Sequence, residues 1–466
     1  MNLSSLIESM QENLSNILDK DKLSTLAFDH RFIVRSTNRI EAINFVELMS
    51  VELLKKPELS LEGMCDLLKT KNPNTEISRQ GLQQRINSQG AVDFMSAVFV
   101  DSLSQAVNNF AITPSQLLTP FRRILLQDST QIKLNDSLCD AFRGCGGSGG
   151  KAALKLHLVY DFHQHQLSEV LLTNATTSET DRGNALVEKL LGNDLVLRDL
   201  GYFSLDQLRK INGKQAFFLS RLPSSVGVYL SNASDACEIN IIDYIQRHFP
   251  HQGVIDIEVY LGKEKFPVRL IAYRLPEAMV NQRRRKAYDA ARKKSRTPKK
   301  EYLQWLSFSF YLTNVPITVW TTAVIGTIYR LRWQIELIFK QWKSLLKIDF
   351  LKGKSPYRIE CLLYGRLISI CLIAKIHGVV WWYAIQEFDR EVSCDKLIKW
   401  LLRNHRLEKL MKPVSFSALF NQLIQQLNHL LKEKRKRKTT YQRIVDGQTF
   451  NENFSLDTYE VLQKAA

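Results

Sequence analysis

Between Tyr329 and Lys343 the chain reads YRLRWQIELIFKQWK, a stretch without proline or glycine and rich in helix-forming residues. A helix there, at 3.6 residues per turn, places Tyr329, Arg332, Glu336 and Lys343 within a sector of roughly 60°. A carboxylate in line with a guanidinium, an ammonium and a phenol joins a ligand for a divalent cation to groups that hold phosphate oxygens. This is equipment for phosphoryl transfer, in which metal ions activate the attacking oxygen and stabilise the leaving one. The same spacing also describes a solvated helix face on which Glu336 pairs with Lys340. Leu331, Ile335, Ile338, Phe339, Trp342, Leu345 and Leu346 fall on the opposite side, so the helix is expected to lie on a core with its polar face outward.

Upstream segments supply further carboxylates. RRILLQDSTQIKL is an apolar run expected to form a strand ending at Asp128. GNDLVLRDLGYFSLDQL reads as a short buried strand ending at Asp199 and passing into a helix. Each Asp on its own is also what a turn or cap needs. Asp194 and Asp206 are nearby rivals, one before the strand and one within the following helix. KAALKLHLVYDF and QLSEVLLTN read as a hairpin, TTSETDRGNALVEKLL as a capped helix and QAFFLSRLP, with Arg221, as another strand.

The spacing Tyr, two residues, Arg, three residues, Glu, six residues, Lys resembles the signature of the DDE transposases of bacterial insertion sequences, in particular insertion-sequence family four. All four letters match, and Asp-Leu-Gly-Tyr-Phe at 199–203 is similar to that family's Asp-x-Gly-Tyr/Phe motif. The resemblance implies an α/β fold, an RNase H-like catalytic core with an inserted mainly β domain, flanked by helical N- and C-terminal domains. It implies that Asp128, Asp199 and Glu336 are catalytic and hold two Mg2+ (or Mn2+) ions, and that Tyr329, Arg332, Lys343 and Arg221 contact DNA. The activity implied is cut-and-paste transposition: binding of terminal inverted repeats, cleavage of the ends through a hairpin intermediate, and joining to target DNA by a homodimer in a synaptic complex. Related enzymes place a Trp ahead of a Thr-x-x-Pro turn, here Thr313 to Pro316, to stack on a flipped base. Ser309 lies near that position in this chain, leaving Trp305 as the candidate with Phe308 and Phe310 as competitors. Two other classes fit the same residues: an RNase H-like nuclease or resolvase without strand transfer, and a domesticated, non-catalytic DNA-binding protein.

With 466 residues the chain has room for several domains. The expected plan is a helical N-terminal DNA-binding domain (1–115), the first part of the core (116–222), the β-rich insertion with a basic arm (223–308), the second part of the core (309–380) and a helical C-terminal domain (381–466). Asn38 with Glu41 forms a capping-box-like start, and Ser60 and Ser78 are N-cap candidates for two short helices in a helix-turn-helix-like unit. Arg79, Gln80, Gln83, Gln84 and Arg85 would make its DNA contacts, although an ordinary helical bundle reads the same way. Lys and Arg number 64 against 47 Asp and Glu, and the net charge of +17 favours a polyanionic partner. That charge concentrates in NQRRRKAYDAARKKSRTPKKEYLQW, where Arg284 and Arg285 lie among interleaved aromatics, and in KEKRKRK near the end.

Seven cysteines, with no CxxC pair, argue against a disulfide framework. GCGGSGGK lacks phosphate-loop spacing, because Cys145 and Ala152 occupy key positions, and reads as a flexible connection. His157, His163 and His165 are explained by strand alternation and a turn rather than by a metal. No secretory leader is read at the N-terminus, and Arg366 and Lys375 make the most apolar stretch a core helix rather than a membrane span. The expected setting is the bacterial cytoplasm, at the nucleoid.

Overall fold

The computed structural model describes residues 3–35, 40–104, 115–410, 412–433 and 439–445. Among these residues the strands are, in chain order, β1 (Arg123–Lys133), β2 (Ala153–Asp161), β3 (Gln166–Asn174), β4 (Asp194–Arg198), β5 (Phe217–Arg221), β6 (Val228–Tyr229), β7 (Val254–Leu261), β8 (Phe266–Arg274) and β9 (Phe308–Thr313). The chain divides into two compact units. The helical unit comprises Met1–Ile112, Ser129–Thr177 and Ile335–Lys434; the sheet unit comprises Thr113–Asp128, Ser178–Gln334 and Arg435–Ala466.

In the sheet unit the strand order is β1-β4-β5-β9-β8-β7-β6. β1, β4 and β5 run parallel, and the remaining pairings are antiparallel, so the sheet is mixed. Parallel strands covered on both faces read as unbroken apolar runs, and β4 is buried along its whole length. The expected β character of the inserted segment is found in β6, β7 and β8. They join the same sheet as the first strands, through β8 and β9 paired from Arg269↔Thr313 to Arg274↔Phe308. Helices Glu179–Glu188 and Leu205–Gly213 begin at Ser178 and Ser204, whose hydroxyls accept from Thr180 N–H and Gln207 N–H. The expected strand end at Asp128 is corrected, since β1 runs on to Lys133. Ser129, Thr130 and Ile132 favour extended backbone, and Ile132 is buried.

In the helical unit β2 and β3 form the expected antiparallel hairpin, from Leu154↔Asn174 to Asp161↔Gln166. The apolar stretch is the core helix Pro356–Phe388, with proline in its first turn. Among the described residues no helix is long and apolar enough to cross a membrane. This helix lies on a π-turn at Leu48–Glu52 in a contact only glycine permits, because a Cβ on Gly365 would come within 2.2 Å of the Met49 carbonyl oxygen. Ser369 Oγ donates to Ser50 O at 2.8 Å beside it. The predicted caps at Ser60 and Ser78 start helices Leu61–Lys71 and Arg79–Ile86, each accepting an N–H from a glycine three residues on. Asn38 and the run 434–438 lie outside the described residues. The glycine-rich connection turns at Gly146, Gly147 and Gly150, all with positive φ.

Candidate active site

The parallel pairing of β1 and β4 positions the first two carboxylates. Its register ends at Gln127↔Arg198, so Asp128 and Asp199 follow at equivalent places on strands about 4.8 Å apart. Asp199 keeps extended backbone (φ −82°, ψ 170°) as the chain enters a 3-10 turn at Leu200–Tyr202. Both side chains are partly exposed. Arg332 Nη1 lies 3.5 Å from Asp128 Oδ2. No hydrogen bond or ion pair engages the Asp199 carboxylate among the described residues.

The strand end at Asp199 is held from behind. Arg198, 4% exposed, donates from Nη1 to Gln207 Oε1 (2.5 Å) and from Nη2 to Gly183 O (3.1 Å). Gln207 Nε2 in turn donates to Thr180 O at 2.7 Å, tying the turn to two helix starts. Burial lowers the Arg198 guanidinium to about 10, which leaves it charged at neutral pH. The Arg198 carbonyl oxygen accepts the Tyr329 hydroxyl at 3.1 Å.

That contact corrects the expectation of one outward-facing signature helix. Residues Ile325–Tyr329 are α-helical, Arg330–Arg332 form a 3-10 turn, and a second α-helix runs over Trp333–Ser344. The tighter turn changes the azimuth across the signature. Tyr329 is buried, its ring 5.1 Å from that of Tyr311 and the Arg332 guanidinium 6.0 Å from its ring centroid. Burial, with Asp199 adding to it, pushes the phenol well above its ordinary pKa against the opposing charges of Arg332 and Arg221. Leu331, Ile335, Phe339, Trp342 and Leu346 are buried as expected, while Ile338 and Leu345 are only half-buried. Glu336 stands in the first turn of the second helix, where the helix dipole favours an anion, and Lys343 in its last turn. Both are half-buried and belong to the helical unit.

The rival aspartates are committed elsewhere. Asp194 is fully buried, gripped by Arg123 (Nε–Oδ1 3.1 Å, Nη2–Oδ2 2.6 Å) and Arg122 (Nη2–Oδ2 2.7 Å). Burial alone would raise its pKa, but the bonds from Arg123, Leu191 N–H and Arg122 outweigh that and lower it. Asp206 pairs with Lys210 at 3.0 Å within its own helix. His157 bonds Thr173 Oγ1, and His165 bonds the Tyr160 hydroxyl while stacking on Trp381. Among the described residues no group of three or more His, Cys, Asp or Glu is arranged to hold a metal ion. Asp128 and Asp199 follow directly on the paired register of two neighbouring parallel strands.

The basic residues divide into two kinds. Arg79 and Arg285 are exposed, and Arg221 is half-buried at the end of β5. Arg85, by contrast, turns inward to donate to Phe32 O, with its guanidinium over the Phe32 ring. Arg284 donates to Leu303 O and Ser307 Oγ, and Arg283 to Phe308 O and Ser309 Oγ. These two arginines fasten helix Glu277–Arg292 to the segment that enters β9. Trp305 is half-buried with its ring 4.4 Å from that of Phe310, while Phe308, Ser309 and Phe310 are buried. A cavity of about 450 Å3 opens beside Trp305, lined also by Tyr302, Lys299, Glu238, Asn240 and Ser224. Sequence reasoning missed Arg198, Gln207 and the Arg122–Arg123 clamp. An arginine at the end of the apolar run LVLR was the available signal.

A mixed sheet flanked by helices, with an aspartate directly after the paired register on each of two adjacent parallel strands, is an arrangement suited to chemistry on phosphate groups. Residues 119–372, more than half of the chain, match the transposase DDE domain family, and the chain belongs to that family. It is similar to the transposase for insertion sequence element IS231F of Bacillus thuringiensis subsp. israelensis, 28% identical over 462 residues and 95% of each chain. The transposase for IS231B of Bacillus thuringiensis subsp. berliner is 31% identical over 353 residues, 73% of each chain. That for IS1151 of Clostridium perfringens is 26% identical over 403 residues, 83% of this chain and 84% of its own. The resemblance to DDE transposases of bacterial insertion sequences is thus borne out, and the chain is a DDE transposase. A piggyBac transposase synaptic complex with hairpin DNA aligns over 92% of this chain and 87% of its own at 10% identity and a TM-score of 0.39, too low to bear on the fold.

Proposed function

We propose that this chain is a cut-and-paste transposase of insertion-sequence family four. It binds terminal inverted repeats, cleaves the ends through a hairpin intermediate and joins them to target DNA as a homodimer, in the bacterial cytoplasm at the nucleoid. The observation that carries the reading is the register of β1 and β4, which sets Asp128 and Asp199 side by side. Two hard carboxylates suit Mg2+ or Mn2+, and the Arg332 guanidinium 3.5 Å from Asp128 is placed to bind a phosphate oxygen beside them. In this reading an RNase H-like core contributes Asp128, Asp199 and Glu336 as ligands of two such ions, and the five-part domain plan holds. When bound, the ions supply activation of the attacking oxygen and neutralisation of charge on the leaving one.

The chain's own residues do the rest. Arg332, Lys343 and Arg221 bind phosphates on either side of the cut, and exposed Arg79 and Arg285 extend the basic surface toward the repeat and its flanks. Arg85 and Arg284 hold the elements that carry that surface. Trp305, beside its cavity, stacks on a base displaced near the transposon end. The deciding experiment incubates the protein with labelled transposon ends, Mg2+ and a target plasmid. Hairpin-ended and joined products support the reading, whereas cleavage of the ends with no joining, even when precut ends are supplied, makes the chain a nuclease or resolvase. Metal-independent binding with no cleavage makes it a DNA-binding protein. In the same assay Trp305→Ala, followed by 2-aminopurine fluorescence at the end base, should reduce base displacement and hairpin yield together, and unchanged signals remove Trp305 from the mechanism.

A further inference from the structure

Tyr329 carries a polar group that points into the sheet unit. Its side chain is buried, its hydroxyl donates at 3.1 Å to the carbonyl of Arg198, and Arg198 is the last residue of β4 before Asp199. The raised phenol stays protonated at every pH of interest and so remains a donor. On the other side, the Arg198 guanidinium is fixed to Gln207 and Gly183. The peptide leading into Asp199 is therefore gripped at its carbonyl by Tyr329 and at its side chain by two helix starts. The Asp199 carboxylate itself makes no hydrogen bond or ion pair among the described residues, so its placement comes from this backbone anchorage.

We propose that Tyr329 is a positioning residue for the carboxylate site: it acts through the Arg198 carbonyl to hold Asp199 in line with Asp128. The proposal rests on the reading of Asp128 and Asp199 as metal ligands. A buried carbonyl that loses its donor must turn toward another or take in water, and either movement rotates the next residue. Removing one hydroxyl then acts on metal affinity first.

The test compares Tyr329→Phe with wild type and with Asp199→Asn in the full-length chain. Mn2+ binding is titrated by electron paramagnetic resonance without DNA, and affinity for a transposon end is measured over a range of salt. Tyr329→Phe keeps the ring and is expected to weaken Mn2+ binding about three- to tenfold while leaving end affinity and its salt slope unchanged. Cleavage should recover at high Mn2+. Unchanged Mn2+ binding with weaker end binding and a salt slope reduced by about one would overturn the proposal and make Tyr329 a phosphate contact. If Asp199→Asn also leaves Mn2+ binding intact, the metal reading itself fails. If Asp199→Asn loses Mn2+ binding and Tyr329→Phe does not, only the positioning role fails. Circular dichroism of each variant identifies misfolding, and should Tyr329→Phe misfold, Gln207→Glu, which alters the other anchor of Arg198, must shift Mn2+ binding for the proposal to stand.

Discussion

The two ends of β4 use the same residue type for opposite purposes. At its start Asp194 is fully buried and closed off by two arginines; at its end Asp199 is half-exposed with its carboxylate uncommitted. Each end faces a neighbour on β1, so the parallel pairing builds a sealed ion cluster at one end and, at the other, sets the uncommitted Asp199 beside Asp128, which Arg332 approaches. A buried charge that is fully paired belongs to the structure, whereas one left open at a strand end is available for chemistry.

The largest expected effect lies at the open end. Asp199→Asn, Asp128→Asn and Glu336→Gln should each reduce DNA cleavage by at least about a thousandfold, with end binding retained. Asp199→Asn should leave the melting temperature within about 2 °C of wild type, because no contact is lost. A large drop in melting temperature would erase the contrast between the two ends. Asp194→Asn is the converse. It leaves Arg122 and Arg123 without their anion and should cost about 2–3 kcal/mol in urea unfolding, with cleavage per folded molecule unchanged.

Acid sharpens the same contrast. Since the folded pKa of Asp194 lies below its ordinary value, its ion cluster stabilises the protein fully above that ordinary value, near 3.8. The contribution is lost as pH falls through the lower folded value. Wild type and Asp194→Asn should therefore begin to converge in stability as pH falls below about 3.8 and meet only below the lower folded value, and a gap that persists in strong acid would argue against the ionic origin. The smallest effect belongs to Arg122→Ala. Arg122 makes one bond to Asp194 and is partly exposed, whereas Arg123 makes two, so Arg122→Ala should cost about 1 kcal/mol and less than Arg123→Ala.

These contrasts also mark where the sequence could be read. The hairpin β2–β3, the short strand before Asp199 and the caps at Ser60 and Ser78 were legible because period, turn residues and capping chemistry all act locally. Asp128 and Asp199 were picked out because each follows an apolar run, and those runs are the adjacent strands β1 and β4. The inward turn of Tyr329 was not, because a helical wheel assumes a constant 100° per residue and the 3-10 turn at Arg330–Arg332 departs from it. Nor did charge distinguish Arg283 and Arg284, which fasten a helix to β9, from Arg285, which faces solvent. An arginine's partner is set by what folds against it, often far along the chain. The continuation of β1 past Asp128 was obscured by the polar Ser-Thr-Gln that follows, residues that serve a strand as readily as a turn.

The glycine contact between helix Pro356–Phe388 and the π-turn at Leu48–Glu52 bears on the timing of synthesis. Ser50 and Ser369 are 319 residues apart, so the N-terminal helices emerge from the ribosome long before the surface they pack on exists. At about 5–20 residues per second the wait is on the order of half a minute, during which Met49 and Ser50 of the π-turn lack the helix they lie against. A nascent chain truncated anywhere before this helix carries the N-terminal helices without the element that completes their core. The helical unit therefore matures only after helix Pro356–Phe388 has been made and has emerged.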